Sequence, residues 1–117
     1  MLRHADNTRA EECGRLLAIH ERRENTPTGA VSAVTATLRA MNVDLRGLTM
    51  ADCTGLSPGS QATASVLARV QAHNLQVGPG TAAATGLSIP GEVGTAYHRH
   101  AHPTAAGLIR VKTASLD

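Results

Sequence analysis

The chain has 117 residues, a formal net charge of +2 and one aromatic residue. This is the size of one domain or part of one, and the weak, dispersed positive charge lacks the dense basic patch that nucleic-acid binding requires. With no Phe or Trp to fill a core, Leu, Val, Ile, Met and Ala must close it, which predicts marginal stability.

The spacing predicts a first helix from Thr8 to about Glu24. Thr8 and Glu11 match a capping box, and Ala10, Cys13, Leu17 and His20 recur at helical spacing with Leu16 beside them. Glu11 and Arg15 stand four apart on the polar side. Arg15, Arg22 and Arg23 read as a solvated face. "NTPTG" is then expected to break the chain at Pro27 and Gly29.

A second helix is predicted over about Ala30 to Met41, with Val31, Val34, Leu38 and Met41 as its apolar stripe and Asn42 as its stop. In "GLTMAD", Leu48 and Met50 alternate inward as a short strand would. "CTGLSPGSQ" is a loop of turn formers. A third helix is predicted from about Thr63 to His73, with Val66, Leu67 and Val70 inward. "GPGTAAATG" and "IPGEVGT" show no periodicity and read as one long loop. "AAGLIRVKTASL" reads as a closing strand whose apolar body is Leu108 to Val111.

No apolar run approaches the ~20 residues a bilayer span needs. The N-terminus "MLRHADNTRAEE" has no apolar signal core. As written, the chain is expected to be neither exported nor membrane-bound. Cys13 and Cys53 fit neither a zinc spacing nor a disulfide framework, and are expected to be small, reduced, partly buried side chains. In "HRHAH", His98, His100 and His102 would share one side of an extended stretch and could bind Zn²⁺, Ni²⁺ or Cu²⁺. No local Asp or Glu is placed to orient them, so no metal or other cofactor is expected. Lys112 is the single lysine beside ten arginines. Alone it would read as an edge-strand lysine that discourages aggregation, and Asn7 as an ordinary helix-start residue.

Four stretches together carry a resemblance. "MLRHADNTRAEECGRLL" resembles an "L-R-x-S-D-N-x-x-A-E" segment, and "VDLRGLTMADCTGLSPGSQATASVLARV" an "L-x-D-G-S-G-L-S" stretch with its following helix. "GEVGT" resembles a "G-x-x-G-T-L" turn, and "AAGLIRVKTASL" a strand bearing Lys-Thr-Gly. These belong, in this order, to the low-molecular-mass class C penicillin-binding proteins, D-alanyl-D-alanine carboxypeptidase/endopeptidases of peptidoglycan metabolism. The resemblance implies an α/β (α+β) architecture: part of a penicillin-binding-protein/β-lactamase-like transpeptidase fold, with helices beside part of an antiparallel sheet. Residues 1–117 would be a single partial domain, with the nucleophile helix before it and further strands after it.

The family works through S-x-x-K, S-x-N and K-T-G. The serine of S-x-x-K attacks the substrate carbonyl, and a hydroxyl needs a base within hydrogen-bond reach to do so. By resemblance, Asn7 matches the S-x-N asparagine that binds the peptide, Asp6 its middle position, and Ala5 stands where the proton-relaying serine belongs. Lys112 and Thr113 match Lys-Thr, as a fixed cation and a hydroxyl for the substrate carboxylate. Ala114 stands where the glycine belongs. Ser57 matches a loop serine without a catalytic role. No S-x-x-K occurs, because Ile109 lies three before Lys112. The chain is therefore expected to be a degenerate part of a serine-type carboxypeptidase, inactive alone unless a companion segment supplies S-x-x-K. The alternatives are a noncatalytic module binding peptidoglycan stem peptides ending in D-Ala-D-Ala, and a His-rich metal-binding protein. The family is extracytoplasmic; this chain alone would be cytoplasmic.

Overall fold

The computed structural model describes residues 1–76, 82–99, 104 and 106–114. They form a mixed α/β arrangement of four helices and a two-stranded antiparallel sheet, so the expected α/β class stands. The chain divides into two compact units: Asn7–His73, and Met1–Asp6 together with Asn74–Asp117.

The Asn7–His73 unit is built on a helical hairpin. Helix α1 (Asn7–His20) and helix α2 (Pro27–Ala40) pack through small residues. Gly14, Ala18, Ala30 and Ala33 are all buried, and the three alanines have no exposure at all. A methyl added at Gly14 would lie 3.2 Å from the Ala30 Cβ and collide with the Cys53 Sγ. The two helices are thus close because neither carries bulk at the seam.

Both helices end in the same way. Arg22 N–H donates to the Ile19 carbonyl and Arg23 N–H to Ala18; Asn42 N–H donates to Arg39 and Val43 N–H to Leu38. Arg22 and Asn42 take the left-handed conformation, at φ 55° and 57°. These are Schellman ends, which satisfy the orphan carbonyls of the last turn. The stop expected at Asn42 is there, while α1 ends at His20, short of Glu24.

Two expectations about helix starts are corrected. α1 begins at Asn7, so Thr8 lies inside the first turn. The Glu11 carboxylate accepts instead from Cys53 N–H at 2.6 Å, which ties α1 to the loop after the first strand. Pro27 opens α2 rather than breaking the chain. Thr26 caps it by accepting from Gly29 N–H at 3.0 Å. A proline at the first helical position costs no hydrogen bond, because that N–H has no intrahelical partner.

Strand β1 (Leu48–Thr49) pairs with β2 (Gln61–Ala62), with Leu48 opposite Ala62. The inward–outward alternation expected around Leu48 holds, and β2 was not foreseen. The loop between them is organised by one carboxylate. Asp52 accepts from the backbone N–H of Thr54, Gly55 and Ser57 at 3.0, 2.6 and 2.9 Å. The Ser57 hydroxyl first, then the Gly55 and Ser57 N–H groups, outweigh desolvation and pull the Asp52 carboxyl down to about 2.

Helix α3 (Ala64–Gln76) starts close to the expected Thr63 and extends past His73. Val66 is buried, but Leu67, expected inward, is 57% exposed. It lines an open groove of about 430 Å³ with Val34, Leu38, Leu48, Met50 and Val70. Cys13 is exposed, contrary to expectation, while Cys53 is half-buried. Desolvation, then the Glu11 and Asp52 charges, raise the Cys53 thiol pKa. Arg15, Arg22 and Arg23 are exposed as expected, and Arg23 donates to the Ser32 hydroxyl at 2.7 Å.

In the other unit, the expected long loop has structure. Ala82–Thr85 form a short helix α4, Ile89 bridges to Val93 across a tight turn with Gly91 at φ 77°, and Gly94–Ala96 make a 3-10 turn. Residues 77–81 of the same stretch lie outside the described residues. Among the described residues the closing strand, in contrast, is reduced to one antiparallel pair. Ser88 and Val111 exchange both backbone hydrogen bonds, at 3.1 and 2.9 Å. Gly107, at φ 74°, turns the chain just before it, leaving Leu108 80% exposed and Ile109 45% exposed. Among the described residues no helix is long and apolar enough to cross a membrane.

Two outcomes are expected from this packing. Gly14→Leu should destabilise the chain by roughly 1–3 kcal/mol, the cost of overpacking a closed seam, read as a lower denaturation midpoint. The Asp52 carboxyl is depressed when folded, so its contribution is full above the ordinary carboxyl value of about 4 and is lost as pH falls towards about 2. Amide-exchange protection of Thr54, Gly55 and Ser57 should fall across that window in the native chain, and Asp52→Asn should remove the titration.

Candidate substrate-binding site

The residues singled out from the sequence fall in both units. Ala5, Asp6, Lys112, Thr113 and Ala114 belong to the Met1–Asp6/Asn74–Asp117 unit. Asn7 is the exposed first residue of α1 in the other. Ser57 is half-buried in the Asp52 loop, where its N–H serves the carboxylate. His98 is exposed, its ring edge-on to Tyr97 at 5.1 Å. His100 and His102 lie outside the described residues. Among the described residues no three His, Cys, Asp or Glu side chains gather as a metal site.

The segment Met1–Asp6 is a compact turn closed by Asp6 N–H donating to the Met1 carbonyl at 3.1 Å. Ala5 sits in it at φ 50°. An L-residue other than Gly, Asn or Asp adopts that conformation at a cost of about 1–2 kcal/mol, so the surroundings must hold it. They do so through Arg3. Its carbonyl accepts from Thr95 N–H at 3.0 Å and from the Ser88 hydroxyl at 2.8 Å, and its guanidinium donates to the Thr85 carbonyl at 3.1 Å.

Ser88 is fully buried, the one buried polar residue among those described. Its backbone holds Val111, and its hydroxyl holds Arg3. Gly94 makes room for this meeting. A Cβ there would stand 2.5 Å from the Arg3 carbonyl oxygen and collide with the Ser88 hydroxyl. At φ 83° the position favours glycine on conformational grounds as well.

The arrangement continues to the K-T-A segment. The Thr95 hydroxyl lies 3.3 Å from that of Ser88 and 2.5 Å from that of Thr113. Thr113 is half-buried, and Lys112 and Ala114 are exposed. The Lys112 ammonium donates to the Thr113 carbonyl. A line of oxygens therefore runs from the Arg3 carbonyl through Ser88 and Thr95 to Thr113. It links the turn bearing Ala5 to the segment bearing Lys112. A threonine hydroxyl and a lysine ammonium can together receive a carboxylate, by one hydrogen bond and one charge.

Sequence reasoning missed Ser88 and Thr95. Thr95 lies in "GEVGT", which carried part of the resemblance but was given no role. Ser88 lies in "LSIPG", where Leu87 and Ile89 flank it in a two-residue alternation before Pro90. That alternation is the signal that could have marked a short extended pair.

Comparison with known proteins finds carboxypeptidases along the whole chain. The chain is 35% identical over 125 residues to Carboxypeptidase Rv3627c of Mycobacterium tuberculosis, covering 99% of this chain and 26% of that protein. It is 35% identical over 124 residues to Carboxypeptidase DacB of Mycolicibacterium smegmatis, with the same coverage of each. The chain thus spans about a quarter of the length of these curated relatives. Residues 1–117 match the D-Ala-D-Ala carboxypeptidase 3 (S13) family, and the chain belongs to that family.

Proposed function

We propose that these residues form the substrate-recognition side of a serine-type D-Ala-D-Ala carboxypeptidase acting on peptidoglycan, without the group that attacks the substrate. The observation that carries this reading is the hydroxyl line from Arg3 to Thr113, because it draws two motif-bearing segments, far apart in sequence, into one unit. Thr113 would donate to the terminal carboxylate of a stem peptide and Lys112 would add its charge. Asn7 would bind the peptide from the S-x-N side. Ala114 puts a methyl where the family's glycine lets the substrate backbone approach the strand edge.

The reacting groups are the weak part of this chain. Loss of a catalytic nucleophile typically costs on the order of a million-fold in turnover, and loss of a proton-relay hydroxyl, as at Ala5, about 10²–10⁴-fold. Acyl-enzyme chemistry would need a companion segment bearing S-x-x-K.

Incubated with a fluorescent penicillin and separated after denaturation, the 117-residue chain should show no labelled band. A band abolished by prior denaturation would place a nucleophile among these residues and sink the inactive reading.

A further inference from the structure

The hydroxyl line has a direction. The Ser88 hydroxyl donates to the Arg3 carbonyl at 2.8 Å, so its oxygen can only accept in the 3.3 Å contact with Thr95. We assign Thr95 as the donor to Ser88, which leaves Thr113 to donate to Thr95 across 2.5 Å. All three protons are then spent within the line, and the Thr113 oxygen can accept but has no proton to give. An anionic group arriving at Thr113 needs a donor instead. Only one proton besides that of Thr113 has to move. If the Thr95 O–H turns from Ser88 to Thr113, the Thr113 O–H is freed to point outward. The contact given up is the long one of 3.3 Å, and the 2.8 and 2.5 Å contacts are kept.

We propose that Thr95 is a positioning residue whose hydroxyl reverses to present the Thr113 proton to a ligand carboxylate, with buried Ser88 as the fixed end of the line. The proposal rests on the reading of Thr113 as a carboxylate-binding residue. Ser88 suits the fixed end because its proton, its backbone N–H and its carbonyl are all committed, to Arg3 and to Val111. Thr95 suits the moving part because it is exposed and its hydroxyl has an oxygen on either side. Its backbone is pinned by the N–H bond to the Arg3 carbonyl at 3.0 Å, so the side chain turns without moving the turn. A valine at this position keeps the shape and loses the relay; a serine keeps both oxygen and proton.

The test compares native chain, Thr95→Val and Thr95→Ser, each checked for an unchanged circular-dichroism spectrum. Two peptides ending in D-Ala-D-Ala are titrated, one with a free carboxylate and one amidated. The side-chain rotamer of Thr113 is read from its NMR three-bond couplings without ligand. We expect Thr95→Val to weaken the carboxylate peptide roughly tenfold, the worth of one charge-assisted hydrogen bond, and the amide less than twofold. Thr113 should change from one rotamer to an averaged set, and Thr95→Ser should restore both properties. Equal weakening of both peptides, or one Thr113 rotamer in all three proteins, overturns the proposal. If the native chain binds neither peptide, the carboxylate-binding reading fails, and the Thr113 couplings alone decide whether Thr95 holds it.

Discussion

The scarcity of large side chains is the constraint on which the structure depends. With one aromatic residue in the chain, and no side chain larger than serine fully buried among the described residues, backbones come close to one another. Each unit solves this with glycine and small residues at the point of contact. In one, Gly14, Ala18, Ala30 and Ala33 let two helices meet. In the other, Gly94 lets a 3-10 turn reach the Arg3 carbonyl, beside buried Ala96 and Ser88. Close backbones leave polar groups far from water, and such groups need partners. The Glu11 bond to Cys53 N–H and the Ser88 bond to the Arg3 carbonyl answer that need.

This dependence explains why the candidate site is made of hydroxyls. Small polar side chains fit between backbones that a larger residue would part, and they satisfy carbonyls on the way. Ser88 is structural in the first instance: its amide, carbonyl and hydroxyl tie three segments together. Thr95 and Thr113 extend that structural bond to the surface. The proposed carboxylate-binding position at Thr113 therefore rests on the same line of hydroxyls that shapes the unit.

The helices were legible because their signals are local. Apolar residues at Val31, Val34 and Leu38 and a turn former at Asn42 predict α2 and its end without knowledge of anything distant. The errors lie where a local signal has two uses. Pro27 punctuates a loop or opens a helix, and only the Thr26 cap distinguishes them. Thr8 with Glu11 reads as a capping box until Cys53, 42 positions along, takes the carboxylate. The apolar run Leu108–Val111 resembles a strand, but a strand is defined by its partner, and among the described residues only Val111 finds one, at Ser88. The family was legible from four motifs in order. The hydroxyl line was not, because its bonds join residues up to 85 positions apart and no periodicity encodes such a meeting.

Ala5 carries its left-handed backbone without any side-chain hydrogen bond of its own to justify it. The path of the chain there is set by Arg3 and by the Met1–Asp6 closure. Alanine codons and four of the six serine codons differ only at the first base. A hydroxyl could thus be gained or lost at this bend by a single-nucleotide change, because the bend is held by backbone bonds in which the Ala5 side chain takes no part.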